Sequence, residues 1–261
     1  MGMYDNEQMS QVAERDIRSA PQVETGDRFR RGDVSRPGDV INYSDGRQFR
    51  YVSTAADLAA GEIVAWRTAQ AAALDNKLSV AAINATTLVL DTSGTALFGA
   101  GAGVVVANDL AGGFIVIEDD TGEGHQYRIK SNTVGTSATS ITVVLWDKLK
   151  VAVDATTDVF LIGPKYRKVV EGAILLSPIG VCMTATTAAT DGVDQYFWVQ
   201  TRGLAAVLVK TGTSIAIGKL VTAAADGGCI LAAGHDTNIL GTAMGTTTTS
   251  GATVAVNLSL E

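Results

Sequence analysis

A short glycine-centred pattern recurs along the chain and constrains its fold more than any other feature. It reads apolar-x-x-Gly-x-apolar-apolar and occurs at 58–64, 110–116, 215–221 and, in a looser form, 169–175. A glycine at its fourth position can supply a backbone conformation that other residues resist, so each copy predicts a turn followed by a strand. Because the copies are unequally spaced, they indicate many short turn-and-strand units and no solenoid repeat.

The composition is that of a mainly β protein. Hydrophobic residues, mostly aliphatic, make up 46% of the chain, and its 28 glycines stand against 4 prolines, as expected for many strands joined by tight turns. A chain of 261 residues can form one large β domain or two smaller ones. We therefore predict a mainly β fold, with β-barrel or β-sandwich domains, tight glycine turns and an extended N-terminal arm.

The charge and hydropathy of the chain argue against two classes of partner. Its net charge of −7 is the wrong sign for nucleic-acid binding, and no run of 18 apolar residues predicts a membrane span. The polar N-terminus carries no secretory signal, which predicts synthesis in a reducing cytoplasm. Cys182 and Cys229 are then expected to be buried free thiols, with a single disulfide as the alternative.

The clearest strand signals lie near the C-terminus. Alternation directs Tyr196 and Trp198 to one face of a strand and Phe197 to the other, and Arg202-Gly203 is expected to break that strand. The final segment, 253–260, alternates between aliphatic and small residues, which predicts one buried face and one small, polar face.

Local signals also predict turns and one helix. Residues 40–43 and 47–53 are expected to form a hairpin around a turn at 44–46, and 225–228 is expected to be a second hairpin turn. The segment 67–77 is rich in helix-favouring residues and is the best helix candidate, with a loop as the alternative.

The strand pattern before residue 84 resumes after Pro164, which suggests an inserted domain. We predict an extended N-terminal arm at 1–40, one β domain built from 41–83 and 169–261, and an inserted β-rich domain at 84–168.

The arm is distinguished by charges of both signs and by few apolar residues. Its basic side chains include Arg28, Arg30, Arg31 and Arg36. Such a segment cannot bury against a core, so it either becomes ordered on contact with a partner or is a disordered terminus. The tripeptide Arg31-Gly32-Asp33 resembles a receptor-binding motif, but a turn is the simpler interpretation.

No arrangement of residues indicates catalysis. The two histidines, His125 and His235, have no metal-ligating companions at a recognised spacing, and both are interpreted as surface loop residues. The acidic turn that contains Asp119, Asp120 and Glu123 has too few oxygen ligands in order for a calcium loop. No nucleophile, phosphate-loop or dinucleotide motif is present. We therefore expect no metal, no cofactor and no enzymatic activity, while an enzyme of unrecognised type remains a rival hypothesis.

Four stretches together carry a family resemblance. They are SDGRQFRYVSTAADLAAGEIV, DTGEGHQYRIKSN, DQYFWVQTRGLAAVLV and the C-terminal GKLVTAAADGGCI followed by ILGTAMGTTTTSGATVAVNLSL. Over about residues 40–261 the chain resembles tailed-bacteriophage virion proteins, and its C-terminal part is similar to capsid cement (head decoration) proteins. The block before Val169 departs from the shorter cement proteins.

The resemblance implies a β-rich, homotrimeric protein on the outer capsid surface, where it binds the major capsid protein and stabilises the head. The family has no catalytic residues. On this reading Arg28, Arg30, Arg31 and Arg36 contact the capsid through the arm, as charged interface rims do. Tyr196 and Trp198 belong either to the core or to the trimer interface. The alternative function is a tail- or fibre-associated protein that binds the host.

Overall fold

A computed structural model describes most of the chain as β structure. The described residues are 37–67, 77–91, 105–135, 140–173, 176–187, 194–210, 213–232, 238–249 and 251–260, together with the backbone of 24–25. Within them the secondary structure consists of strands without a helix of any length, which confirms the mainly β fold. The four arm arginines, the predicted helix at 67–77 except its two ends, and His235 lie outside the described residues.

The described residues form sixteen strands. In chain order they are β1 (Glu24–Thr25), β2 (Val40–Asn42), β3 (Gln48–Thr54), β4 (Ile63–Ala65), β5 (Thr87–Asp91), β6 (Phe114–Asp119), β7 (Gln126–Asn132), β8 (Ser140–Leu145), β9 (Asp158–Ile162), β10 (Val170–Glu171), β11 (Pro178–Cys182), β12 (Gln195–Leu208), β13 (Leu220–Ala223), β14 (Cys229–Leu231), β15 (Ile239–Ala243) and β16 (Thr253–Ser259).

The chain divides into two compact units. The first comprises Met1–Trp66 and Tyr166–Glu261, and the second, inserted into it, comprises Arg67–Lys165. The inserted unit therefore starts before Asn84, where the sequence pattern placed the boundary. The physical reason is local packing: Leu78 is 2% exposed within the core of the second unit and forms an isolated bridge with Leu90.

The first unit is an antiparallel sheet of eleven strands organised around β12. Its main path runs β10-β4-β11-β12-β16-β15-β13-β14, while β1 and β3 also pair with β12 and β2 pairs with β3. Two hydrophobic clusters lie against this sheet. One is formed mainly by β12 to β16 and includes Val207, Val221 and Val256, and the other includes Val52, Phe197 and Val199.

The second unit is a five-stranded antiparallel sheet in the order β5-β8-β7-β6-β9. Alternate residues of each strand enter one core, as Leu88, Ile115 and Ile141 do. Asn132, which is 5% exposed, ties the neighbouring loop to this core. Its side-chain amide accepts a hydrogen bond from the backbone N–H of Leu110 and donates to two backbone carbonyl oxygens.

Both predicted hairpin turns are confirmed, whereas the predicted strand break at Arg202-Gly203 is wrong. The chain turns at 44–46 between β2 and β3, and at 225–227 between β13 and β14. In contrast, β12 continues through Gly203, which has φ +83, and its pairing with β3 shifts register between Gln200 and Arg202. A left-handed glycine in a paired strand produces a bulge that bends the strand without ending it.

The recurrent glycine pattern has two structural meanings. At Gly61 and Gly218 the glycine has positive φ and leads into a strand, as predicted. At Gly113 and Gly172 it does not, so the predicted backbone role is wrong at both positions. A Cβ at Gly113 would lie 2.1 Å from the carbonyl oxygen of Ile162, so this glycine is required by close backbone approach.

Candidate interaction surfaces

The predicted aromatic pair lies on β12 beside a third aromatic residue from β3. Trp198 is paired directly with Tyr51, and their ring centroids are 5.0 Å apart; the Tyr51 and Tyr196 rings are stacked at 6.0 Å. Tyr196 and Tyr51 are buried, whereas Trp198 is partly exposed. Phe197 enters the core on the opposite face, which confirms the predicted alternation. Sequence reasoning missed Tyr51, because its contact with Trp198 depends on the pairing of distant strands.

The described part of the N-terminal segment is held by β12. Glu24 and Thr25 form β1, which pairs antiparallel with Tyr196 and Gln195. The backbone of the segment is therefore attached to the same strand that carries the aromatic pair.

The outer face of the sheet formed by β12, β16, β15 and β13 includes nine positions without a charged side chain, and the exposed Arg202, which is paired with Ser259, borders them on the same face. One cross-strand row consists of Leu204, Asn257, Thr242 and Leu220, each paired with the next. Leu204 is 57% exposed and Leu220 is 52% exposed. We define the uncharged face by these four residues and their neighbours on the same side, namely Ala206, Leu208, Met244, Thr253 and Ala255.

The uncharged face is unusual for a sheet surface in contact with water. Antiparallel sheets that face solvent on one side carry polar or charged residues there. Here the exposed apolar side chains of Leu204, Leu220 and Met244 lie beside a pair of small residues, Ala206 and Ala255. The sequence predicted a small, polar outer side only for the last strand, and the apolar neighbours on β12 and β13 were not foreseen.

A cluster of three carboxylates surrounds the turn at Gly227. A Cβ added to this glycine would lie 2.9 Å from Cγ of Glu171 and 3.2 Å from Cγ of Glu62. Partial burial, together with the negative charges of Glu171 and Asp226, raises the pKa of Glu62, although the backbone N–H of Ala59 donates a hydrogen bond to this carboxylate at 2.7 Å and opposes the shift. Within the described residues no group of His, Cys, Asp and Glu has the arrangement of a metal site.

The other residues considered from the sequence have structural roles. His125 lies in the predicted turn, and its ring is stacked on Tyr127 at 6.1 Å. Cys182 and Cys229 are both free and buried, which confirms the thiol prediction, and burial raises the pKa of each to about 12. The part of the chain that the structure describes contains no helix long and apolar enough to cross a membrane.

Comparison with known proteins gives no relative. No protein-family model matches the sequence, and the chain matches neither a curated protein nor a solved structure.

Proposed function

We propose that this protein is a virion structural protein that decorates a bacteriophage capsid. In this role several copies associate, bind the outer surface of the major capsid protein lattice and stabilise the head without catalysing a reaction. The observation that carries the proposal is the uncharged face, which gives an otherwise acidic chain one surface suited to association. The resemblance of residues 40–261 to virion and cement proteins suggests that this surface is used in a phage capsid.

The charge of the chain favours a second copy as the occupant of the uncharged face. Each copy has a net charge of −7, so two copies repel one another unless they meet through a surface without like charges. Leu204, Leu220 and Met244 would be buried by such a contact, and each is more than half exposed in the single chain. Full burial of a large aliphatic side chain contributes about 1.5–3 kcal/mol, so these half-exposed residues offset part of the roughly 4–15 kcal/mol that association costs in lost freedom of motion.

The N-terminal arm is the proposed contact with the capsid floor. Its residues Glu24 and Thr25 pair with β12, so the middle of the arm is attached to the central strand of the first unit. The basic side chains Arg28, Arg30, Arg31 and Arg36 would then pair with acidic groups of the major capsid protein. In a homotrimer three such arms bind together, so that individually weak contacts become persistent.

The oligomeric state of the purified full-length chain tests the association step. We expect native mass spectrometry to show a trimer, and Leu204→Glu to dissociate it by placing a charge in the uncharged face. Val134→Glu is the matched control, because Val134 is 53% exposed and lies in the inserted unit. A monomer at all concentrations, or equal dissociation by both variants, would contradict the proposed interface.

Copy number in purified virions tests the location. Hundreds of copies per particle are the expected result for a protein that covers a capsid lattice, while a few copies would support the tail- or fibre-associated alternative. Removal of residues 1–40 tests the arm: we expect the truncated protein to lose binding to expanded capsids, and retention of full affinity would contradict this role.

A further inference from the structure

The outer face of the five-stranded sheet carries two aromatic side chains with an arginine between them. Phe114 on β6 is paired directly with Arg128 on β7. On the other side of Arg128, the backbone N–H of Trp146 donates a hydrogen bond to its carbonyl oxygen at 3.0 Å. These three residues form one cross-strand row, which we call the aromatic row. Because neighbouring strands are about 4.8 Å apart, Phe114 and Trp146 are separated by roughly 10 Å.

Both aromatic side chains of the row are accessible. Trp146 is 59% exposed and Phe114 is 38% exposed, although the core of the same unit buries sixteen residues nearly completely. A tryptophan is the side chain with the most apolar area to gain from burial, so a ligand that covers it gains free energy on binding. An exposed tryptophan beside an exposed phenylalanine indicates a binding surface, whereas an isolated exposed valine is normal on a protein surface.

Two cations accompany the aromatic rings. The Nζ atom of Lys130 lies 5.3 Å from the centroid of the Trp146 ring, and Arg128 lies within the row itself. Neither cation forms an ion pair with another described residue, whereas Arg67 pairs with Asp109 at 3.3 Å in the same unit. The hydrogen-bond donors of Arg128 and Lys130 are therefore available to an anionic group.

The surrounding charges select among anionic ligands. Asp147 follows Trp146 directly, and Glu118 lies four residues after Phe114 along β6, both exposed. A nucleic acid carries one phosphate charge per about 1.7 Å of duplex, so these acidic neighbours and the net charge of −7 would repel it. A sugar chain with one carboxylate per ring can place a carboxylate on Arg128 and Lys130 while the apolar faces of its rings stack on Phe114 and Trp146, a combination that a phosphate backbone does not offer.

We propose that the aromatic row, with Lys130, is a binding site for an anionic glycan whose sugars carry carboxylates. The site lies wholly in the inserted unit, whereas the uncharged face and the arm belong to the first unit. The glycan site therefore does not depend on the capsid role, and either can fail without the other. It would give the inserted unit a function of its own, namely attachment of the protein to acidic polysaccharide.

Affinity electrophoresis of the full-length chain in native gels tests the proposal. The gels contain polygalacturonate as the carboxylate-bearing probe or dextran as the neutral probe, and an oligo-dT strand is used as a competitor. We expect retardation by polygalacturonate and little by dextran. Trp146→Ala should weaken binding about tenfold, as expected for loss of one stacked ring, and Arg128→Gln should weaken it similarly.

Two exposed controls separate the site from general charge and apolar effects. Lys148→Gln removes a neighbouring exposed cation outside the row, and Val134→Ala removes exposed apolar surface; both should bind as the unmodified chain does. Thermal unfolding of each variant checks that it is folded, which the exposure of these side chains favours. The proposal is overturned if polygalacturonate causes no retardation, if Lys148→Gln weakens binding as much as Arg128→Gln, or if oligo-dT displaces the polysaccharide and binds more tightly.

Discussion

Two glycines face a backbone carbonyl oxygen at distances that no other residue could accept. A Cβ at Gly241 would lie 2.0 Å from the carbonyl oxygen of Asn257, and one at Gly113 would lie 2.1 Å from that of Ile162. Real Cβ atoms essentially never approach another atom closer than 3.0 Å, and both obstructing atoms are backbone. We therefore predict that Gly241→Ala separates β15 from β16 in the first unit and that Gly113→Ala disrupts the β6–β9 edge of the second.

The loss of stability in Gly241→Ala can be estimated from the contacts that are broken when β15 separates from β16. The β15–β16 pairing extends from Gly241 to Ala243, so its loss removes two or three backbone hydrogen bonds, each worth about 0.5–1.5 kcal/mol. It also loosens the buried side chains of Val256 and Leu258, which adds on the order of 1–2 kcal/mol. The total of about 3–5 kcal/mol is a large part of the stability of a typical domain and corresponds to a fall in Tm of roughly 10 °C.

Differential scanning calorimetry of the full-length variants measures this effect. We expect Gly241→Ala to lower the transition of the first unit and Gly113→Ala that of the second. Gly245→Ala is the matched control, because Gly245 has no positive φ and the nearest atom to its added Cβ is 3.9 Å away. Its stability should change by less than about 0.5 kcal/mol. If Gly241→Ala melts no lower than Gly245→Ala, the steric argument is refuted.

Three further outcomes follow from buried or partly buried polar groups. Because the pKa of Glu62 is raised, its contribution to stability is present at low pH and is lost as pH rises from about 4.5 through the raised value. Glu62→Gln should remove this loss and raise the free energy of unfolding at pH 7 by about a few tenths of a kcal/mol, whereas Glu118→Gln should leave it unchanged. Urea titrations of each variant at pH 4 and pH 7 measure the difference. Cys182 and Cys229 should react with a thiol reagent at pH 8 only after unfolding, since burial raises the pKa of both to about 12; rapid labelling of the native protein would contradict this. Asn132→Ala should lower the free energy of unfolding of the second unit by about 2–3 kcal/mol, because the backbone N–H of Leu110 and the carbonyl of Thr133 lose the amide as their partner, while the carbonyl of Val106 keeps the N–H of Asp109. Chemical denaturation measures this loss, and an unchanged free energy of unfolding would contradict it.

The sequence predicts the parts of this fold that depend on neighbours in the chain. Alternation identifies β16, because each residue from Thr253 to Ser259 changes face with its position alone. The turns at Gly46 and Gly227 are found for the same reason, since turn chemistry is local. The bulge at Gly203 could not be distinguished from a turn, because the outcome depends on the strands that pair with both sides of β12.

The glycines also show that a sequence predicts local backbone conformation but not contacts between distant strands. Gly61 and Gly113 occupy the same place in the recurrent pattern, yet the first is needed for its backbone conformation and the second for its closeness to another strand. Only the first requirement is encoded in the adjacent residues. The second depends on Ile162, which lies far along the chain, so the pattern alone could not separate the two roles.

The interaction surfaces were harder to predict than the fold because each is assembled by register. Leu204 and Leu220 belong to different strands, β12 and β13, and they share the uncharged face only because β16 and β15 lie between those strands. Phe114, Arg128 and Trp146 likewise come from three segments and meet only through the pairing of β6, β7 and the end of β8. A shift of one residue in any of these pairings would turn the side chains to the opposite face. The sequence-level proposal therefore placed function in the charged arm, whereas the described structure adds one candidate surface on each unit.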